Sequence, residues 1–256
     1  MLEYRNLVKK FGERTILKGI NLKINQGEIV FILGTSGTGK SVLLKNTVGL
    51  LKPDAGEIWI DGEEVAGFSE FEFLKIRKKC GMVFQHPALF DSLTIYENIA
   101  FGLRKHFSLS ESEISSRVNR ALKLVNIHDI NDKRPAEISY GMQKRVSLAR
   151  TVALEPKVLL FDEPTTGLDP VTTNAINELI KDLSRTLKTT SLVVSHDMPC
   201  ALSIADRIVV FDQGQIVDQG TPQELLNSKV KLVQEFLAEA KEMLDHDSNV
   251  IRGTTS

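Results

Sequence analysis

Gly34-Thr35-Ser36-Gly37-Thr38-Gly39-Lys40-Ser41 sets two glycines five positions apart, then a lysine and a hydroxyl residue. That spacing matches the P-loop, in which glycines let backbone N–H groups close around a phosphate. The flanks constrain the fold as much as the loop does. Ile29-Val30-Phe31-Ile32-Leu33 is an apolar run of strand length, and Ser41-Val42-Leu43-Leu44-Lys45-Asn46-Thr47-Val48 has the pattern of an amphipathic helix. A strand, a glycine turn and a helix start aim several amides and the positive end of a helix dipole at one spot. Lys40 is therefore expected to reach the β- and γ-phosphates of a nucleotide, and the Ser41 hydroxyl to ligate Mg²⁺. The candidate nucleotide-binding set runs from Gly34 through Thr35, Ser36, Gly37, Thr38 and Gly39 to Lys40 and Ser41, with Thr47 further along the helix.

Composition bounds what surrounds this loop. With 42% hydrophobic and 25% charged residues in 256, the chain has an ordinary globular balance. No apolar run approaches the ~18 residues of a membrane span, and Met1-Leu2-Glu3-Tyr4-Arg5 has no signal-peptide core. Two cysteines, Cys80 and Cys200, are too few for a disulfide framework and suit a reducing compartment. A net charge of -1 argues against a protein that coats nucleic acid. The expectation is a soluble, intracellular protein with no nucleic-acid partner.

Along the chain, residues 1–33 read as β structure, with period-two alternation at Asn21-Leu22-Lys23-Ile24-Asn25. Pro53-Asp54-Ala55-Gly56 reads as a turn, Glu57-Ile58-Trp59-Ile60 as a strand, 66–79 as a charged helix, and Gly81-Met82-Val83-Phe84 as a buried strand. From about 86 to 155 helical patterns dominate, and Ser110-Glu111-Ser112-Glu113 offers a helix cap before Ile114. Strand character resumes at Lys157-Val158-Leu159-Leu160-Phe161 and Ser191-Leu192-Val193-Val194, with helices near 171–187 and 198–205. Ile208–Phe211 and Gln215–Val217 flank Asp212-Gln213-Gly214 as a hairpin. One helix over roughly 222–244 and a polar tail from Asp245 to Ser256 complete the reading.

Alternating helices and unbroken apolar strands predict an α/β chain with a mainly parallel sheet, whose ligands sit beyond the carboxyl ends of the strands. Four apolar runs end in groups capable of chemistry: the P-loop after Leu33, Gln85 after Phe84, Asp162-Glu163 after Phe161, and Ser195-His196 after Val194. Alone, each has an ordinary alternative, Gln85 and His196 as capping or packing residues and the acid pair as a helix cap. Together they converge on a triphosphate. Asp162 would hold Mg²⁺, Glu163 would polarise the attacking water, His196 would contact the γ-phosphate, and Gln85 would touch metal or water.

Ile138-Ser139-Tyr140-Gly141-Met142-Gln143-Lys144-Arg145, with Ala149-Arg150 downstream, resembles the signature motif of ABC transporter nucleotide-binding subunits, usually written LSGGQ. Glu163-Pro164-Thr165-Thr166-Gly167-Leu168-Asp169 is similar to that family's linked Walker B and D-loop, and Phe11 sits where it places an adenine-stacking aromatic. The resemblance covers residues 1–227 and implies an ABC ATPase domain. Its P-loop core is joined by an N-terminal antiparallel β subdomain and a helical subdomain inserted at about 86–155. Residues 228–256 are left as a C-terminal helix and tail. It implies ATP and Mg²⁺ as cofactors, and a head-to-tail homodimer in which Ser139, Gly141 and Asp169 serve a nucleotide across the interface.

Tyr140 and Met142 depart from the signature, at its first glycine and its glutamine. Ser139 and Gly141 remain, so activity is still expected. Phe84–Thr94, the signature methionine and Val194–Pro199 with Leu202–Asp206 look most like ATPases of the MCE/Mla type, which move phospholipids or other hydrophobic molecules. That likeness implies an integral membrane permease, an MCE-domain protein and a STAS-type subunit as partners. It places the chain in the cytoplasm against the inner membrane. Importers of amino acids or other polar solutes share part of the pattern. A soluble repair or translation ATPase would carry a long coiled-coil insertion or two P-loops, and a small-molecule kinase would need neither Ile138–Arg150 nor His196. The apolar stripe Val230, Val233, Phe236, Leu237, Ala240 and Leu244 reads as packing, with contact to a partner ATPase as the alternative.

Overall fold

The computed structural model describes residues 1–241. β1 (Leu2–Phe11) and β2 (Arg14–Ile24) form an antiparallel hairpin, and β3 (Ile29–Leu33) leads through the glycine loop into α1 (Lys40–Thr47). β4 (Ala55–Ile60) and β5 (Glu63–Glu64) complete a four-stranded antiparallel sheet in the order β2-β1-β4-β5. α2 (Glu70–Lys79) and β6 (Cys80–Val83) precede three helices, α3 (Ile95–His106), α4 (Glu111–Leu124) and α5 (Tyr140–Val152). β7 (Val158–Asp162), α6 (Pro170–Leu187), β8 (Thr190–Ser195), α7 (Met198–Ile204), β9 (Arg207–Asp212) and β10 (Gln215–Gly220) then alternate. α8 (Pro222–Leu225) and a helix over 231–241 (α9) follow.

The second sheet runs β10-β9-β3-β8-β7-β6 and is parallel except for the β9–β10 hairpin. Its strands are buried on both faces, which is why they read as unbroken apolar runs. Alternate residues feed two cores. Ile29, Phe31, Leu33, Leu159, Phe161 and Val193 pack against α3 to α7 and α9. Val30, Ile32, Leu160, Leu192, Val194 and Phe211 pack against α1, α2 and the antiparallel sheet. The chain is thus two layers of packing around one sheet, and the carboxyl ends of β3, β6, β7 and β8 share an edge.

Caps set the helix boundaries. Ser69/Glu72, Thr94/Glu97, Ser110/Glu113 and Thr221/Glu224 are complete capping boxes at α2, α3, α4 and α8. The helix predicted over 66–79 therefore begins at Glu70, because Glu63 and Glu64 pair with β4 and Ser69 caps. Within the turn predicted at 53–56, Ala55 and Gly56 already belong to β4. The helix predicted over 222–244 is broken after Leu225. Ser228 bonds Asp218 through its hydroxyl and accepts from Val230 N at 3.1 Å, which restarts the helix. Val233, Phe236 and Ala240 are buried in the core, whereas Leu244 and the tail from Asp245 lie outside the described residues.

Candidate active site

The P-loop is tight at its first and last glycines, where neighbours leave no room for a side chain. A Cβ on Gly34 would lie 2.5 Å from the Phe211 carbonyl oxygen, and one on Gly39 would lie 3.0–3.1 Å from Leu17 and Ile16. Gly39 also holds φ at 105°, where L side chains rarely go. Lys40 is 6% exposed, and its Nζ donates to the Gly34 and Thr35 carbonyls at 2.6 and 3.0 Å. Burial lowers its pKa, while the charges of Glu163 and Asp162 act in the opposite direction. Thr38 Oγ1 closes the loop by donating to Thr35 O at 2.9 Å.

α1 differs from every other labelled α-helix whose cap is described. Side chains cap α2 through α8, whereas the N-cap of α1 is Gly39, with no side-chain acceptor and no acid in the first turn. Its first-turn amides are therefore available to an anion supplied from outside.

A cavity of about 490 Å³ opens over this helix start, within the usual range for a small-molecule site. Phe11, Ser36, Gly37, Gly39, Lys40, Ser41, Gln85, Glu163 and His196 all line it. The ends of β3, β6, β7 and β8 bring the P-loop, Gln85, Glu163 and His196 to it, and β1 ends there in Phe11. Asp162, 8% exposed at the end of β7, accepts from Ser41 Oγ at 2.6 Å. A hydroxyl and a carboxylate joined in this way, with Gln85 facing the same space, form a hard-oxygen set. It suits Mg²⁺ completed by phosphate and water oxygens better than an all-protein cage.

Glu163 Oε2 faces His196 Nδ1 at 2.8 Å and accepts from Thr166 Oγ1 at 3.3 Å. The hydrogen bond to Glu163 raises the His196 pKa above its ordinary value, outweighing burial. For Glu163, burial pushes upward, but the hydrogen bond and charge of His196 and the Lys40 charge hold the pKa below the ordinary value. The pair is thus biased toward carboxylate and imidazolium. No other hydrogen bond to the His196 ring is made among the described residues.

Several predicted residues stand elsewhere. Thr47 is not a nucleotide ligand: it is fully buried at the far end of α1, where it bonds Tyr4 at 2.7 Å and Leu43 O at 2.9 Å. Ser139 caps α5 by accepting from Met142 N at 3.3 Å, and Asp169 caps α6 by accepting from Thr172 N at 3.0 Å. Neither these nor Gly141 lines the cavity. Tyr140 is the first helical residue of α5, so glycine's freedom is not needed there. Arg14, Ile16, Val42 and Thr166 line the cavity without having been assigned a role from sequence. Arg14 pairs with Phe11 across the β1–β2 turn, a placement readable from Gly12-Glu13 had the hairpin been drawn.

A family model described as ABC transporter matches residues 17–166. The intermembrane phospholipid transport ATP-binding protein MlaF of Haemophilus influenzae is 40% identical over 237 residues, covering 93% of this chain and 90% of that protein. The Fe(3+) ions import ATP-binding protein FbpC of Vibrio cholerae is 41% identical over 243 residues, covering 94% of this chain and 68% of its own length. A dimeric ATP-binding cassette, MJ0796 bound to ADP and Pi, superposes with a TM-score of 0.79 at 34% identity, over 87% of this chain and 99% of that one. The chain is an ATP hydrolase of the ABC transporter family.

Proposed function

We propose that two copies of this ATPase close head to tail over two ATP molecules and so drive a membrane permease that moves phospholipid or another hydrophobic substrate across a bacterial envelope. The observation that carries the reading is the split of the family's motifs. One cavity holds the P-loop, Gln85, Glu163 and His196, while Ser139 and Gly141 lie outside it at the start of α5. A second chain placing its α5 start over the cavity would complete the site, and an isologous pair gives two equivalent sites.

Within the site, α1 amides and Lys40 bind the phosphates, Phe11 stacks on adenine, and Glu163 orients the attacking water. His196, held by Glu163, meets the γ-phosphate. Bound Mg²⁺, held through Ser41, Asp162 and Gln85, would neutralise phosphate charge.

Among the described residues no helix is long and apolar enough to cross a membrane, so membrane work needs a partner. Phe84, Phe90 and Phe101 are exposed near Gln85, with Phe90 and Phe101 rings 5.0 Å apart. This aromatic patch is suited to a permease helix. The likeness to MlaF supports the phospholipid reading and, with it, an MCE-domain protein and a STAS-type subunit as further partners. The similar identity to FbpC supports a second reading, an importer of polar solutes.

The test uses Glu163→Gln, expressed in its own cell, held with ATP and Mg²⁺, and recovered from solubilised membranes for mass spectrometry. A permease with an MCE-domain protein is expected. A permease with a solute-binding protein would establish the second reading, and recovery without any membrane partner would overturn both.

A further inference from the structure

Residues 85–89 lie between the exposed Phe84 and Phe90 and carry Gln85 into the cavity, yet outside helices and strands no backbone–backbone hydrogen bond reaches them among the described residues. Side chains of α5 hold them instead. Lys144 Nζ donates to Gln85 O, and Arg150 donates to Ala88 O at 2.7 Å and to Pro87 O at 3.2 Å. Tyr140, at the start of the same helix, shares a hydrogen bond of 3.3 Å with His86 Nδ1.

Lys144 is the unusual member. It is 2% exposed, lies 5.5 Å above the Tyr140 ring, and makes no ion pair with a described carboxylate, although the charge of Glu163 partly offsets the burial that lowers its pKa to about 8. Burying an ammonium that only fills space is unfavourable, and a methionine would pack as well. The cost is explained if the bond to Gln85 O fixes the residue that faces the metal, because groups that orient a metal's ligands matter nearly as much as the ligands.

We propose that Lys144 is a positioning residue for Gln85, and that Tyr140 and Arg150 extend its grip over residues 85–88. The helix that begins with Ser139 is thereby tied to the Gln85 segment of its own chain. This rests on the ATP site proposed above and names the part of α5 that serves it.

The test compares Lys144→Met and Lys144→Arg in the full chain, by limited chymotryptic cleavage without nucleotide and by steady-state hydrolysis. In Lys144→Met, cleavage after Leu89 and Phe90 is expected to quicken at least about tenfold while thermal unfolding of the chain shifts little. kcat is expected to fall by about tenfold and the Mg²⁺ requirement to rise, with KM for ATP nearly unchanged, as for loss of a group that orients a metal ligand. Lys144→Arg should restore both resistance to cleavage and kcat. Tyr140→Phe, which keeps the ring, should quicken the same cleavage by a smaller factor.

Unchanged cleavage after Leu89 and Phe90 in Lys144→Met would overturn the proposal. So would cleavage quickened throughout the chain with a lowered unfolding temperature and no rescue by arginine, which would make Lys144 a packing residue. Failure of the wild-type chain to bind a fluorescent ATP analogue would instead overturn the ATP-site reading, and the cleavage measurement would still decide whether Lys144 holds the segment.

Discussion

Glu163 holds φ at 50°, a left-handed setting that costs a side-chain-bearing residue on the order of 1–2 kcal/mol. The bend follows directly on β7, with Glu163 N bonded to Val194 O at 2.9 Å, and delivers the carboxylate to His196 at the end of the neighbouring strand. Because that hydrogen bond raises the His196 pKa, its ring should titrate above 6.5 by NMR, and Glu163→Gln should return the midpoint toward 6.5. No shift in the variant would show that the two side chains are uncoupled. The sign for stability follows from the same directions. The His196 contribution is fully present below its unfolded value of 6.5 and is lost as pH rises through its higher folded value. The Glu163 contribution is present above 4.5 and is lost as pH falls through its lower folded value. The pair therefore stabilises most between those limits, by a modest amount given that His196 is partly exposed. Lys40→Ala removes the cation inside the loop and should weaken binding of a fluorescent ATP analogue by at least about tenfold.

α1 and α4 show what a cap decides. Ser110→Ala should lower stability by about 1 kcal/mol in urea unfolding and leave nucleotide affinity unchanged, because that cap only completes a helix remote from the cavity. At α1 the analogous position is Gly39, and Gly39→Ala forces a methyl into Leu17 and Ile16 at a φ that alanine resists. That change should abolish binding of the ATP analogue in titration even in molecules that fold. The difference was legible beforehand: Ser110 and Glu113 have capping-box spacing, and the glycine run has P-loop spacing. The break after Leu225 was not legible, because apolar periodicity continues through it while the interruption depends on Ser228 reaching Asp218 across the β10 edge. Thr47 was misread for a similar reason. Its place at the far end of α1 points it at Tyr4 of the other sheet, a tertiary contact that local spacing does not reveal.

At the scale of the molecule, one six-stranded sheet separates two cores, so each central strand is packed twice. Phe161→Ala should cost about 3–5 kcal/mol in unfolding experiments, with loss of ATP binding in step, since the same strand ends in Asp162. Four strand ends meeting at one edge could be foreseen because unbroken apolar runs imply a parallel sheet, whose ligands sit at that edge. The groups that hold residues 85–88 to α5 could not, since a lysine and an arginine in a helix read as solvated charges until their carbonyl partners are seen. The central claim is that Glu163 prepares water for attack on ATP in a site that two chains complete. It is tested most directly by measuring ATP affinity, turnover and molecular mass of Glu163→Gln together, by titration, phosphate release and light scattering. The account predicts affinity within about twofold of wild type, turnover lowered by about 10²–10⁴-fold, and an accumulated dimer with ATP and Mg²⁺. Turnover at the wild-type rate, or a monomer that binds ATP at full affinity, would contradict it.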